Sequence, residues 1–310
     1  MMHDDQLSVE VGAVRALIID QFPQWQYESL VPIRSDGTVN AIFRLGEHLA
    51  VRMPIRPADP DESVRRLRAD AVRLAEISAV CPFPTPRPIA IGLPGDGYPM
   101  PWSIQTWLPG EIATADGLAS SHLFARDLAS LIRAFREADT HGRHFTGAGR
   151  GGRLADHDEW MTTCFRESNG LMDVAPLRAL WEGFRVLPSL RHDVMSHGDL
   201  IPANLLVQGE RLVGVLDGGD FAAADPALDL VAAWHLLDSA ARETLRADLE
   251  CADLECADLE CADLEWQRGA AWAFQQAMGL VWYYRTSNPA MSALGRSTLR
   301  RIIDDRLTLE

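Results

Sequence analysis

This 310-residue sequence predicts an α+β fold of two lobes, a small lobe around an antiparallel sheet and a large, mainly helical one. Three observations support this. Before residue 108, apolar residues fall in short runs broken by turn residues, the pattern of strands. From residue 120 onward they recur at helical spacing. Within that second part, residues 195–230 return to short apolar runs set among acids and an amide, and the rest of the chain is organised around this stretch.

Val11, Val14, Leu17 and Ile18 are spaced for a short helix over 11–22, stopped by Pro23. A small-residue turn, SDGTVN at 35–40, opens a hairpin of strands 41–45 and 49–53 around Gly46, Glu47 and His48. In the return strand Leu49, Val51 and Met53 share one face and Arg52 points to the other. The opening turn could bring backbone N–H groups to a phosphate, or could be an ordinary hairpin turn. Residues 62–77 read as an amphipathic helix with Asp61 as its cap and Val64, Leu67, Ala71, Leu74 and Ser78 as its stripe. The prolines of PFPTPRP at 82–88 enforce an extended connection. Strands follow at 89–92 and 102–108, the second ended by Pro109 and Gly110.

Helices are expected over 123–138, 156–164, 175–186 and 226–237, with a Gly/Arg-rich loop at 141–152. Residues 247–265 repeat ADLEC with a period of five, which matches neither helix nor strand and reads as a duplicated surface connection. The helix expected over 266–284 is rich in Trp and Tyr, either as core or as the wall of a pocket.

The central stretch holds His197, Gly198 and Asp199, then Asn204 five positions beyond the aspartate, then Asp217. Between Asn204 and Asp217, apolar runs at 205–207 and 212–216 flank QGER, a hairpin turn. That hairpin would bring Asn204 close to Asp217, and their oxygens are hard ligands suited to Mg²⁺. Asp199 lies just upstream, where it could take a proton from an attacking hydroxyl. A base, two metal ligands and a hairpin are the minimal parts of a phosphoryl transferase.

Composition narrows the alternatives. A net charge of −15 argues against nucleic acid and suits a cationic substrate, although the repeat carries eight of the acids. No run approaches the ~20 apolar residues of a membrane span, and the acidic N-terminal residues lack a signal-like apolar segment, so the expectation is a cytoplasmic monomer. All 29 basic residues are arginine, so any phosphate-holding cation must be one. The five cysteines form no C-x-x-C pattern and read as free thiols.

The interval D-x-x-x-x-N followed by a metal-binding Asp is that of protein kinases. The letters HGD at 197–199, the apolar run into Asp217, and DPALD at 225–229 resemble instead the aminoglycoside and macrolide phosphotransferase family. The resemblance implies a bilobal protein-kinase-like fold, with residues 1–104 as nucleotide lobe, 105–110 as hinge and 111–310 as catalytic and acceptor lobe. It implies transfer of the γ-phosphate of ATP or GTP, with Mg²⁺, to a hydroxyl of a small cationic antibiotic. Asp199 would be the catalytic base or hydroxyl-orienting group, and Asn204 and Asp217 the metal ligands. Ser35, Gly37 and Asn40 would lie in the nucleotide-positioning loop, and Arg52 would hold phosphate. Asp70 aligns with the family's helical Glu that pairs with the strand cation, with Glu62 as a rival. The Thr106 carbonyl and the Leu108 N–H would meet adenine. His197, Asp220, Asp225 and Asp229 would organise loops. An aminoglycoside is the first expectation for the acceptor. The alternatives are a macrolide, a sugar, choline or amino acid, and a nucleotide-binding protein without transfer activity.

Overall fold

The structure is a computed structural model that describes residues 7–33, 39–95, 97–147, 149–189, 191–250 and 259–307. The chain divides into two compact units: residues 1–79, 84–109 and 214–220 form the first, and 80–83, 110–213 and 221–310 the second. The excursion of 214–220 back into the first unit is absent from the contiguous division expected.

In the first unit, α1 (Val11–Gln21) packs on a five-stranded antiparallel sheet of order β1-β2-β3-β5-β4. The strands are β1 (Leu30–Ile33), β2 (Asn40–Leu45), β3 (Leu49–Pro54), β4 (Pro88–Gly92) and β5 (Trp102–Thr106). Pro32 and Pro88 sit in the two edge strands, where a missing N–H breaks no ladder. The register sorts side chains into two faces. Phe43, Val51 and Ile104 lie across one another and, with Leu45, Met53, Trp102 and Tyr98, bury Val14, Leu17 and Ile18 of α1. One position along, Ile42, Arg52, Ser103 and Ile91 form a row on the opposite face. Gly92 pairs with Trp102, and a Cβ there would lie 2.1 Å from the indole, so only glycine lets β4 cross the ring.

The helix α2 (Pro60–Val80) starts earlier than its apolar stripe suggests. Its cap is Asp59, whose Oδ1 accepts the Glu62 N–H at 2.8 Å, and not Asp61. Pro60 at the first helical position explains the start. The following segment is extended, with Thr85 buried and bonded to Ser78 at 2.5 Å.

The second unit contains β6 (Glu111–Ile112), α3 (His122–Glu137), α4 (Asp158–Glu167), α5 (Ala175–Phe184), β7 (Val194–Ser196), β8 (Leu205–Gln208) and β9 (Arg211–Val215). The last two residues of β9 already belong to the first unit. Then come β10 (Ala222–Ala224), α6 (Val231–Leu236), α7 (Ser239–Glu250), α8 (Leu259–Tyr283) and α9 (Pro289–Leu307). The strands form two small sheets, β6-β8-β9 and β10-β7. Ser121 caps α3 by accepting the Phe124 N–H at 3.2 Å. The middle of α8 is buried all round, from Ala271 through Phe274 and on to Ala277, Met278 and Val281, so it is the central helix of this unit.

Trp272 is fully buried and donates to Asp225, so it is core; Trp266 is half-buried, with its ring 4.8 Å from that of Trp234 and Arg246 over it. Most of the repeat lies outside the described residues. Its last copy is ion-paired: Glu265 meets Arg136 at 2.5 Å and Arg191 at 3.0 Å, and Asp263 meets Arg246. Cys81, Cys164 and Cys261 are free, and burial pushes the thiols of Cys81 and Cys164 up to about 11. Among the described residues no helix is long and apolar enough to cross a membrane.

Candidate active site

Arg52 stands on the open face of the first unit's sheet, because its neighbours Val51 and Met53 are committed to the core behind it. A cleft of about 370 Å³ lies on that face. Asn40, Arg52, Asp70, Ser103, Gln105 and Asp217 supply its polar lining, and Leu67, Leu74, Ile89 and Ile91 part of its apolar wall. The stripe of α2 therefore turns toward the cleft, as its periodicity predicts.

Arg52 Nη2 donates to Asp217 Oδ1 at 2.9 Å, and Arg73 Nη1 donates to the Gly219 carbonyl at 3.1 Å, so both cations hold the 217–219 segment. Asp70 faces the same cleft without pairing to Arg52; its ion pair is with Arg73, at 3.6 Å. Glu62, the rival, pairs with Arg65 on the exposed side of α2. One methylene shorter than Glu, Asp70 leaves Arg52 to the carboxylate of Asp217. Burial pushes the Asp70 carboxyl above its ordinary range, against the pull of Arg66.

Asp217 adopts φ 59°, a left-handed conformation that Asp tolerates better than most residues and that the following glycines accommodate. At the end of β5, the Thr106 N–H donates to the Arg87 carbonyl at 2.9 Å, while its hydroxyl accepts the Arg87 N–H at 2.9 Å. The Leu108 N–H has no backbone partner among the described residues. Ser35 and Gly37 lie outside the described residues.

In the second unit, Asp199 is held from several sides. Gly198 takes φ 79°, a turn that glycine makes without strain. Asp229 anchors this turn, its two oxygens accepting the N–H groups of His197 at 2.9 Å and Gly198 at 3.0 Å. His197 is fully buried, and its Nδ1 accepts the Asp199 N–H at 3.3 Å. Asp225 is buried too, bonded to Arg268, to Trp272 Nε1 at 2.9 Å and to the Ala227 N–H at 3.0 Å. The HGD and DPALD residues other than Asp199 thus build the loop.

Asp199 Oδ1 accepts from Gln276 Nε2 at 2.7 Å and Arg150 Nη2 at 2.8 Å. Asn204 Nδ2 donates to the Asp199 carbonyl at 2.9 Å and to Oδ2 at 3.2 Å. Because both bonds use the amide nitrogen, the Asn204 carbonyl oxygen is left for a hard cation. In the first unit, the half-exposed Asp217 carboxylate offers the hard oxygens that such a cation takes. Burial pushes the Asp199 carboxyl up, but Arg150 and the hydrogen bonds outweigh it, so the group sits below its ordinary range and is anionic at neutral pH. Its side chain is 38% exposed, so a substrate can reach it.

Arg150 and Gln276 escaped the sequence reading. Arg150 lies in the Gly/Arg-rich loop, where nothing distinguishes it from Arg143 or Arg153. Gln276 had a signal: with Gln275 it interrupts the otherwise apolar run 269–282, and polar residues in a buried stretch of helix need partners.

A carboxylate so held, beside an amide five residues on, is an arrangement that phosphoryl transfer to a hydroxyl can use. The pattern of the phosphotransferase enzyme family (APH) matches residues 29–272, and the chain belongs to that family. No curated protein matches it in sequence. Among solved structures it resembles the GDP complex of wild-type aminoglycoside 2'-phosphotransferase-IIIa, with TM-score 0.68, 16% identity, and 96% of this chain and 100% of that one covered. It also resembles macrolide 2'-phosphotransferase MphH from Brachybacterium faecium, with TM-score 0.61, 20% identity, and 93% and 97% covered. At such identities the likeness shows the bilobal kinase-like fold and leaves the acceptor open.

Proposed function

We propose that this protein moves the γ-phosphate of ATP or GTP onto a hydroxyl of a small-molecule antibiotic. The observation that carries the reading is the Asp199 carboxylate, anchored through Oδ1 with Oδ2 only lightly engaged. The acceptor O–H donates to Asp199 Oδ2; its oxygen forms the new bond to phosphorus as the bond to the β-bridging oxygen breaks, and the proton passes to Asp199. With its carboxyl below the ordinary range, Asp199 orients the hydroxyl more than it removes the proton in advance.

Arg52 is the phosphate contact, Ser35, Gly37 and Asn40 the nucleotide loop, and the Leu108 N–H and Thr106 carbonyl the adenine contacts. Asp70 lines the same cleft. Asn204 and Asp217 are the proposed Mg²⁺ ligands, the metal supplying neutralisation of phosphate charge. A cytoplasmic monomer fits the use of nucleotide.

The acid excess supports an aminoglycoside acceptor. A second reading, a macrolide or similar acceptor with one amine and a broad apolar face, is favoured by the apolar and aromatic end of α8, part of which packs with Ile201. Ile201, two residues beyond Asp199, packs with Leu280 and Leu294 beside Ala115, Tyr284 and Met291. The rings of Trp282, Tyr283 and Tyr284 adjoin in succession. The charge acting most strongly on Asp199 is the cation of Arg150, which opposes a polycation there. A coupled nucleoside-diphosphate release screen over aminoglycosides, macrolides and simple alcohols tests the proposal. Release with neither antibiotic class, but with choline or a sugar, would keep the kinase and reject the antibiotic.

A further inference from the structure

We infer that Gln276 and Arg150 are positioning residues for Asp199, and that a buried chain through His235 and Thr298 fixes the orientation of Gln276. The inference rests on the reading of Asp199 given above.

The argument follows the donors. An anionic carboxylate only accepts, so the Gln276 amide nitrogen must be the atom at 2.7 Å from Asp199 Oδ1. Its carbonyl oxygen therefore faces His235 Nε2 at 3.0 Å, and that nitrogen must carry the hydrogen. In a neutral ring, which burial enforces here, Nδ1 is then an acceptor, and it receives the Thr298 hydroxyl at 2.8 Å. Each group is used once, in one direction: Thr298 to His235, His235 to Gln276, Gln276 to Asp199. His235 and Thr298 are both fully buried, so water cannot replace a broken link. The chain ties α6, α8 and α9 to the loop of Asp199.

Arg150 adds a second donor on the same oxygen, at 2.8 Å. Both firm bonds fall on Oδ1, while Oδ2 has, among the described residues, the single 3.2 Å bond from Asn204. The carboxylate is pinned by one oxygen and offers the other. Without Gln276 it can rotate about its Cβ–Cγ bond toward Arg150, and a hydroxyl at Oδ2 loses its aim. That loss belongs to the chemical step and leaves substrate binding alone.

The test measures steady-state kinetics of full-length Gln276→Met, Thr298→Val and the double variant. Gln276→Met keeps the length of the side chain and removes its donor. It should lower kcat roughly ten- to a hundredfold, the worth of one hydrogen bond to a charged group, with both KM values within about twofold. Thr298→Val preserves shape, acts only through the chain, and should lower kcat by less. In the Gln276→Met background Thr298→Val should cost nothing further in kcat. Unchanged kcat, a change confined to KM, or strict additivity would overturn the inference. Nitrogen NMR of the His235 ring gives a readout independent of activity: a neutral ring protonated on Nε2 in the wild type supports the chain, and one protonated on Nδ1 overturns it. If the wild type phosphorylates no acceptor, the functional reading fails, and the ring spectrum still decides whether the chain exists.

Discussion

Asp217 shows what a single residue can be required to do. It adopts a positive φ, carries the Arg52 ion pair and is a proposed metal ligand. Its full charge should make it the stronger of the two ligands. Asp217→Asn is expected to weaken Mg²⁺-dependent nucleotide binding more than Asn204→Ala does, as read by titrating Mg²⁺ against nucleotide affinity in both variants. Equal and small effects would place the metal elsewhere. His235 gives a prediction in pH. Burial lowers its ring from 6.5 to about 4, so the unfolded chain binds the extra proton first as pH falls. The stability of the neutral buried ring is therefore complete above pH 6.5 and is lost as pH falls toward about 4. The slope is at most about 1.4 kcal/mol per pH unit. Thermal melts of the wild type should show this loss, and His235→Phe should flatten the curve. Asp199, Asn204 and Asp217 could be singled out as candidates from the sequence because their spacing is local. Arg150, Gln276 and the Asp217 partner of Arg52 were not, because those contacts join residues 49 to 165 positions apart, and one sequence carries no record of such pairs.

At the scale of elements, periodicity located the strands and helices but not every boundary. The alternation in 41–53 fixed which face of β3 carries Arg52, since Val51 and Met53 had to be buried. The start of α2 was misread because Pro60 and Asp59 precede the first apolar stripe residue. The aromatic helix left core and pocket wall undecided; Trp272 is core through its partner Asp225, while Trp266 is half-buried against Trp234. The repeat looked uniform, and its described ends are both ion-paired, Asp248 with Arg126 and Glu250 with Arg246 at one end and Asp263 and Glu265 at the other. Glu265 is 12% exposed between Arg136 and Arg191. Glu265→Ala should cost roughly 3 kcal/mol, because two partly buried guanidinium groups lose their counter-ion. Deleting residues 252–261 retains Glu265 and Asp263 and should leave the melting temperature and kcat nearly unchanged, since added loop length costs little. Chemical denaturation of both variants checks the contrast; a large loss from the deletion would show that the inner copies are also built into the unit.

For the whole molecule, the family match over residues 29–272 and the kinase-like fold agree with what the order of motifs implied. Acceptor choice was not legible, because net charge is a sum over the surface and the repeat inflates it: removing its eight acids from −15 leaves about −7. If an aminoglycoside is the acceptor, its KM should rise steeply from low to high salt; if a macrolide, it should hardly change. The measurement that most directly tests the account compares phosphate transfer by the wild type and by Asp199→Asn, with nucleotide affinity determined for both. The account predicts transfer to a hydroxyl-bearing acceptor by the wild type. It predicts a loss of about 10²–10⁴-fold in kcat for Asp199→Asn with nucleotide affinity nearly intact. A variant keeping more than about a tenth of wild-type kcat would contradict the role of Asp199 and with it the central claim.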